Sequence, residues 1–486
     1  MVLLAALAVS LTALFATGCG AGGGGGNSPT LSGNTNVVLL ASSTANDQLA
    51  VFTVNLNSLT LVSDSGKSVS LIGKQLGEEY IHVNGKIEPL ATVTVPQGIY
   101  TSAVATVASA YPLCAGQDAA DRELLIDGTL GGVKSQSDVT INLPQPITIT
   151  GNAMGLVLNL QVSKSAPFNG GCSPSLTNAV SIAPVFNLTA MTIGAQPTSS
   201  ANGKALGMRG TIGSVDASGA TMNVNAPQSY NAFALPAWQV NLNGSTTYQG
   251  IAGSSQLVAG MPVDMDLAVQ PDGSLLATRV AVYDTDATSL STANGPPLVV
   301  YASGAYNASY PLADLLQVQQ SGYLTDGAGL YEFANADFHV SGQLANLQNL
   351  PFAARFNATN MVAGQNVLFS THNFSVNVQF PTITTVTLMP QSIDGTVSAV
   401  STDGAFTVYT VTLAPYDLFA NLAVQPGQNT LLANPNTVVV YADSSAQMLN
   451  AGSIGVGGTF RFSGLVFNDN GTLRMDCAQV NDGVAE

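Results

Sequence analysis

The chain has 486 residues, enough for several domains of ordinary size. Only 8% of its residues are charged and 46% are hydrophobic, so Ser, Thr, Asn and Gln supply the polar surface, as in secreted all-β proteins. The formal net charge of −16, from 28 acidic and 12 basic side chains, repels phosphate and argues against nucleic acid or anionic headgroups as partners.

The first segment has the composition of a signal peptide. An apolar run covers residues 2–16, which is shorter than the about 20 apolar residues that a membrane-spanning helix needs. We therefore expect residues 1–18 to be removed from the mature protein. The first basic residue is Lys67, so the positive segment that normally precedes such a run is missing. Either translation starts upstream of Met1 or the signal is weak.

Cys19 follows this segment directly. Small residues, Thr17 and Gly18, precede the cysteine, and this arrangement resembles the lipobox of bacterial lipoproteins, whose cysteine receives a diacylglyceryl group. Acyl chains contribute about 0.8 kcal/mol per buried CH₂, so two or three of them anchor a protein permanently. We predict that Cys19 is lipidated and that the lipid bilayer is a partner. The alternative is an ordinary thiol after a plain secretory signal.

The next residues predict a tether and a location. Residues 19–35 are rich in Gly, Ser and Asn, a composition typical of a flexible coil. Gly20 is not the Asp that typically retains lipoproteins at an inner membrane, which favours the outer membrane, on its periplasmic or surface side. We expect a lipid-anchored protein of the cell envelope.

Residues 36–195 predict an antiparallel β-sandwich. Short runs of Val, Ile, Thr and Leu alternate with polar residues, as in DVTINL at 138–143, and Gly, Asn, Asp or Pro bound them. The apolar phase shifts between Leu56 and Leu59, which suits a bulge or a tight turn. The Pro-Gln-Gly turn at 96–98 predicts a short antiparallel connection.

The same region resembles a known family. The segments NVVLLASSTANDQLAVFTVNLNSLTLVSDSGKSV, TINLPQPITITGNAMGLVLNLQVSKS and FNLTAMTI are similar to the bacterial lipoprotein domain catalogued as domain of unknown function 4382. The resemblance implies a sandwich-like β-domain on an exported protein and no assigned chemistry.

An internal repeat follows a linker at 196–207. RGTIGSVDASGATMNV from Arg209 and DGTVSAVSTDGAFTVYTV from Asp394 each precede the same order of elements. In each copy a glycine opens a strand and a turn dipeptide joins it to the last strand. The glycines are Gly260 and Gly457, and the turns are Asp272-Gly273 and Asn470-Gly471.

These units predict barrels at 208–290 and 391–482, with a diverged barrel-like copy at 296–390 that contains Gly364. They resemble the bacterial family catalogued as domain of unknown function 5666, which implies small β-barrels in tandem on exported proteins. Helical periodicity is scarce, and residues 311–320 are the best helix candidate. The predicted fold is therefore all-β, with an N-terminal antiparallel β-sandwich followed by two or three small β-barrel-like domains.

The remaining cysteines predict one disulfide. Cys114 and Cys172 both lie in turn-rich loops and can pair in an oxidising compartment, which would contribute about 4 kcal/mol in the chain-entropy model. Cys477 lies in the strand-like TLRMDCAQV and is left over. We interpret it as a buried apolar thiol and not a reactive one.

No metal, cofactor or catalytic residue is predicted. The three histidines, His82, His339 and His372, are dispersed, and none has a second histidine at metal-ligand spacing. His82 lies near Glu78 and Glu79, a pattern that we interpret as a solvated loop.

Two pairs of carboxylates occur at strand spacing, Asp264 with Asp266 and Asp284 with Asp286. Each pair projects from one face of its strand, which favours a solvated face over a glycosidase pair or a calcium site. Trp238 and Tyr248 are weak candidates for ligand binding, because aromatic side chains suit sugars or peptides and core packing explains them equally well.

We therefore expect a non-catalytic structural or binding protein of the cell envelope, whose partner is an envelope polymer or protein. The alternative is a hydrolase that acts on an envelope polysaccharide or peptide through Asp264 and Asp266. A third hypothesis is that calcium binding makes the domain junctions rigid.

Overall fold

The computed structural model describes much of the chain. The described residues are 31–44, 49–114, 137–167, 182–227, 234–282, 284–285, 298–306, 315–320, 329–332, 335–342, 347–362, 364–371, 383–414, 417, 419–420, 432–449 and 451–481. Residues 1–18, Cys19 and Cys172 lie outside them, as does the side chain of Cys114. The prediction of lipidation and the prediction of the disulfide both concern these residues.

The all-β fold class is confirmed, and the first domain is built almost entirely from strands. One helical turn, α1 (Val162–Ser165), interrupts them. The strands are β1 (Asn34–Ser43), β2 (Leu49–Ser63), β3 (Ser68–Ser70), β4 (Leu76–Glu79), β5 (Glu88–Pro96), β6 (Gly98–Cys114), β7 (Ser137–Ile141), β8 (Ile147–Ile149), β9 (Ala153–Leu160) and β10 (Phe186–Met191).

Two sheets form the sandwich. One has the order β10-β9-β1-β5, and the other has the order β3-β2-β6-β7, with β4 paired to β2 and β8 paired to β6. Most pairs are antiparallel, but β1 and β9 run parallel, with Val37 opposite Met154. A single hydrophobic core joins both sheets, with Leu39 and Leu158 from the first and Phe52 and Leu59 from the second fully buried.

Of two predictions about short segments of the sandwich, the bulge is confirmed and the hairpin is wrong. The phase shift between Leu56 and Leu59 is a bulge, because β2 continues through it while its register against β6 shifts. The short connection at Gln97 does not close a hairpin, because β5 and β6 belong to different sheets. The turn is a corner between the two layers.

The second domain is a closed barrel. Its strands are β11 (Lys204–Val215), β12 (Thr221–Asn225), β13 (Ala237–Asn241), β14 (Thr247–Gln249), β15 (Pro262–Val269) and β16 (Leu275–Ala281), with short 3₁₀ turns at Ser200–Asn202 and Ser254–Gln256. The order β13-β12-β11-β15-β16 is closed by a parallel pair between β13 and β16. This is the strand order of the five-stranded Greek-key barrel called the OB-fold.

The third unit repeats this order. Its strands are β17 (Leu298–Tyr306), β18 (Leu315–Gln320), β19 (Gly329–Glu332), β20 (Asp337–Val340), β21 (Gln365–Thr371) and β22 (Ile383–Leu388), with a 3₁₀ turn at Leu347–Asn349. The sheet has the order β19-β18-β17-β21-β22-β20. The helix expected over 311–320 is wrong for its described part, because β18 pairs on both sides, with β17 and β19.

The fourth unit is a second closed barrel, which we call the last barrel. It contains β23 (Gln391–Asp403), β24 (Phe406–Leu413), β25 (Thr437–Leu449), β26 (Thr459–Asp469) and β27 (Thr472–Asn481). Its order β23-β24-β25-β27-β26 is closed by a parallel pair between β25 and β27. The Asn470-Gly471 turn has positive φ at both residues, 52° and 90°, as a two-residue hairpin requires.

The repeated glycines have one structural role. Gly260 and Gly457 adopt positive φ, 95° and 85°, which suits glycine alone. The amide of Gly260 donates to the carbonyl of Ile212, and the amide of Gly457 donates to that of Val397. Each glycine thus turns the chain onto the barrel's first strand in the same way.

The units pack against one another. Sandwich residues Val38, Leu40 and Met191 belong to the hydrophobic cluster that fills the first barrel. Leu465 and Phe467 of the last barrel share a cluster with β21 and β22. Within the described ranges, we find no helix that is both long and apolar enough to cross a membrane.

Candidate functional site

The buried charges of this weakly charged chain concentrate where the sandwich meets the first barrel. The sandwich contributes the end of β4, the start of β5 and the intervening loop, which together span residues 78–88. The barrel contributes β11, β15 and β16. We call this region the junction.

On the barrel side, one arginine holds both carboxylates of β15. Arg279 Nη2 donates to Asp264 Oδ2 at 2.9 Å, and Arg279 Nε donates to Asp266 Oδ2, also at 2.9 Å. The three side chains meet because Asp264 and Asp266 alternate on one face of β15, and Arg279 is the partner of Asp266 in the β15–β16 register. Burial lowers the pKa of Arg279, but both carboxylates outweigh it and raise that pKa.

The carboxylate pair is therefore not a solvated face. Asp264 is 2% exposed and Asp266 is 7% exposed. Asp266 also accepts the backbone amide of Gly207, and Asp264 accepts the hydroxyl of Ser341 from the third unit. The shared face was predicted correctly, but its burial was not, because the covering groups come from elsewhere in the chain.

Lys86 connects the two sides of the junction. Burial and the positive charge of Arg209 lower its pKa to about 8, although Asp264, Asp266 and Glu88 oppose this shift. Arg209 stands opposite Asp264 in the β11–β15 register. The junction thus places the cations Lys86 and Arg209 close to carboxylates from both the sandwich and the first barrel.

On the sandwich side, His82 lies within a group of buried glutamates. His82 Nδ1 is 3.0 Å from Glu79 Oε2, and His82 Nε2 is 2.9 Å from Glu88 Oε2 and 3.8 Å from Glu78 Oε1. The His82 side chain is 8% exposed, and the three glutamates are 1–5% exposed. The interpretation of this segment as a solvated loop is wrong, because β4 pairs with β2 and draws the loop into the interior.

Glu79 is held by four donors. Its Oε1 accepts the amides of Phe52 and Ile81, and its Oε2 accepts the amide and the Nδ1 of His82. A carboxylate with this many donors is fixed in place. Glu79 therefore orients the imidazole and turns Nε2 toward Glu78 and Glu88.

Burial and charge shift the pKa values of this group in opposite directions. Burial alone lowers the pKa of His82, but Glu88 and Glu79 outweigh it and raise the pKa to about 10. Burial raises the pKa of Glu78 well above its ordinary value, and the neighbouring Glu88 adds to that effect. These shifts favour the protonated form of His82 and the neutral form of Glu78.

One of the two aromatic candidates also lies at the junction. Trp238 is 3% exposed, and its Nε1 donates to the carbonyl of Pro89 in β5 at 2.7 Å. Tyr248 is partly buried against the same hydrophobic cluster. Trp238 therefore lies at the junction, and Tyr248 packs against the barrel's own core.

The other predicted residues lie apart from it. Cys477 is buried within the last barrel, which confirms its interpretation as an apolar thiol, and burial raises its pKa to about 12. Asp284 is 3% exposed. Asp286 and His372 lie outside the described residues.

An open cavity of about 430 Å³ lies at one end of the first barrel. Half of its lining residues are uncharged and polar, and the others are one carboxylate, Asp272, and three apolar residues. The polar residues are Asn241, Asn243, Gln270 and Ser274. Amide and hydroxyl groups of this kind suit a hydroxyl-rich ligand, since they donate and accept hydrogen bonds without requiring charge.

Comparisons with known proteins identify one domain. Residues 209–281 match the family described as domain of unknown function (DUF5666), so the first barrel contains a DUF5666 domain. No curated protein matches the chain. A solved structure described as "drosophila Unr CSD456" is similar over 58% of this chain and 99% of that chain, with 11% identity and a TM-score of 0.14. A likeness this weak carries no argument.

Proposed function

We propose that this chain is a lipid-anchored, non-catalytic structural or binding protein of the cell envelope. Cys19 would carry the lipid, residues 19–35 would form the tether, and the sandwich, which resembles domain of unknown function 4382, would carry the barrels. The outer membrane is the proposed host. The observation that best supports a non-catalytic role is that Arg279 holds both Asp264 and Asp266.

This observation weighs against the hydrolase alternative. A glycosidase needs one carboxylic acid that gives up a proton and one carboxylate that is free to attack or to activate water. Asp264 and Asp266 lie on the same strand and share one guanidinium, and their exposure is below a tenth. The pair therefore supports a structural role better than a catalytic one.

The anchor is tested by expressing the full chain and a Cys19→Ser variant in a bacterial host. We expect the unsubstituted protein in the membrane fraction, with acyl chains on its N-terminal peptide by mass spectrometry, and the variant in the soluble fraction. Cys477→Ala is the matched control, because it removes a buried thiol and should leave fractionation unchanged. An unmodified Cys19 in the membrane-bound protein would overturn the anchor.

The binding role is tested with purified envelope polysaccharides. The cavity beside Gln270 favours an uncharged, hydroxyl-rich polymer, so co-sedimentation should fall when Ser274→Arg fills that cavity. New reducing ends that appear with the unsubstituted protein but not with a folded Asp264→Asn variant would instead establish the hydrolase.

A further inference from the structure

We propose that Glu78, His82 and Glu88 form a binding site for one divalent transition-metal ion of the zinc type. The site goes beyond the proposed envelope role and does not depend on the lipid anchor. It lies wholly within the sandwich domain, at the end of β4 and the start of β5, and it faces the junction through Lys86.

The three ligand atoms have the spacing of a chelate. One nitrogen of His82 and one oxygen from each of Glu78 and Glu88 all lie within 4.8 Å of one another. The two distances from His82 Nε2 are 2.9 Å to Glu88 and 3.8 Å to Glu78. Tetrahedral zinc with bonds of about 2.0–2.1 Å requires ligand separations of about 3.3 Å, which lies between these two values.

Glu79 is a positioning residue for this site. Metal-bound histidines almost always donate their other ring nitrogen to a carboxylate or a carbonyl, which fixes the ring and its tautomer. The contact between His82 Nδ1 and Glu79 Oε2, at 3.0 Å, supplies this arrangement. Because four donors hold Glu79, Nε2 of His82 is held facing Glu78 and Glu88, where a metal ion would replace its proton.

Glu78 is the residue that favours a metal site over a simple ion pair between His82 and a glutamate. A protonated His82 is already bonded on both nitrogens, to Glu79 and to Glu88, so an ion pair needs no third carboxylate. Glu78 is 3% exposed, and its oxygen lies 3.8 Å from Nε2, too far for a hydrogen bond. A metal ion placed among the three ligand atoms would give the Glu78 oxygen the close cationic partner that His82 does not supply at this distance.

Tyr80 supplies an independent observation. Its side chain is fully buried, and its hydroxyl has no hydrogen-bond partner among the described residues. Tyr80 lies between the ligands Glu78 and His82 along the chain. A buried polar atom without a partner in this segment is one that a metal-bound water would satisfy.

The ligand set selects the class of ion. One imidazole with carboxylates suits zinc and manganese, whereas calcium and magnesium prefer oxygen ligands alone and higher coordination numbers. The chemistry therefore favours zinc over calcium, and calcium serves as the negative probe.

The test is a zinc titration of the full chain after removal of metals with a chelator, followed by calorimetry and by the thermal unfolding temperature. We expect one equivalent of zinc to bind and to raise the unfolding temperature, and we expect calcium at the same concentration to do neither. Glu88→Gln and Glu78→Gln should each weaken zinc binding at least tenfold. His339→Gln is the matched control, because it changes a half-buried histidine with an acidic neighbour, Asp337, and should leave zinc binding unchanged.

Several outcomes would overturn the proposal. These are the absence of saturable zinc binding, undiminished binding in folded Glu88→Gln and Glu78→Gln variants, and equal loss in His339→Gln. If both glutamate variants fail to fold, X-ray absorption on the zinc-loaded unsubstituted protein decides instead. One imidazole with oxygen ligands at about 2.0–2.1 Å supports the site, and sulfur ligands or an all-oxygen shell refute it.

Discussion

The first and last barrels have the same strand order, but the acidic and the basic residue of one buried pair occupy opposite strands in the two barrels. In the first barrel Arg209 of β11 stands opposite Asp264 of β15, and in the last barrel Asp394 of β23 stands opposite Arg461 of β26. The next residue of each first strand is a glycine in tight contact with the second strand. Both closed barrels therefore carry complementary charges at this register, in opposite orientations, whereas the third unit has Ser303 opposite Asn366 there.

The surroundings of the two pairs differ. Asp266 and Arg279 extend the pair in the first barrel, and Ser463 and Gln479 occupy the corresponding register in the last. The first barrel thus adds two buried charges to the pair, whereas the last barrel has uncharged side chains there and places Gln479 near Gly85 of the loop at 78–88. The two barrels share a strand order but differ in the charges around this pair.

The largest expected effect breaks the first barrel's network at Arg279. Arg279→Ala leaves two buried carboxylates without their cation and should lower the free energy of unfolding by about 3–5 kcal/mol. The corresponding Gln479→Ala in the last barrel should cost less than about 1 kcal/mol, because no buried charge loses its partner. Calorimetry of both variants measures these losses of unfolding free energy. If the two losses were equal, the buried carboxylates would not depend on Arg279 for their stabilisation.

The charge exchange itself can be tested with a double-mutant cycle. Asp394→Arg alone places two buried cations together and should cost about 3–5 kcal/mol, whereas adding Arg461→Asp should recover most of the loss. The same exchange at Arg209 and Asp264 should not recover, because Arg279 loses one of its carboxylates. Recovery in both barrels would mean that the surroundings do not determine the orientation.

The two glycines should respond alike. A Cβ on Gly210 would lie 2.3 Å from the carbonyl oxygen of Asn225, and a Cβ on Gly395 would lie 2.4 Å from that of Thr412. Alanine at either position should therefore cost about 1–3 kcal/mol, because the second strand must move. Gly452→Ala, where a Cβ meets nothing within 4 Å, is the control and should leave the thermal transition unchanged. A harmless substitution at one glycine alone would show that the barrels differ in backbone as well as in charge.

The smallest expected effect concerns pH. Asp476 of the last barrel corresponds in register to Leu276 of the first, and burial, reinforced by Asp443, raises its pKa from 3.8 to about 6. The protonated carboxyl is favoured in the folded state, so stability is fully present below about pH 4 and falls as the pH rises through 6. Asp476→Asn should flatten the pH dependence of the unfolding temperature between pH 4 and 7. If the variant shows the same pH dependence as the unsubstituted protein, another group is responsible for it.

The parts of the fold that the sequence predicts are those determined by residues close together in the chain. Positive φ at Gly260, Gly457 and the Asn470-Gly471 turn depends on neighbouring residues alone, so the repeat is visible without a structure. The alternation of Asp264 and Asp266 likewise places both on one face of a strand. Whether that face is buried depends on residues far away in the chain, so the pattern of neighbouring residues cannot predict it.

The glutamates around His82 are the clearest case of such hidden information. Glu78, Glu79, His82 and Glu88 lie within eleven residues, so the signal is present in the printed sequence. A polar segment of this kind is typical of a solvated loop, and only the pairing of β4 with β2 and the packing of the first barrel bury it. Five acidic or basic groups in a short segment of a weakly charged chain, with Lys86 among them, are the feature that would have identified it.

The parallel pairing of β1 with β9 constrains how the chain acquires its structure during synthesis. Val37 of β1 lies opposite Met154 of β9, more than a hundred residues later in the chain, so the central pair of this sheet cannot form until β9 has been made. β5 can pair with the other edge of β1 before then, but the edge that β9 covers stays open. Long-range pairing of this kind has a high loop-closure cost and slows folding. Chaperone dependence should therefore concentrate on the first 160 residues and not on the locally paired barrels.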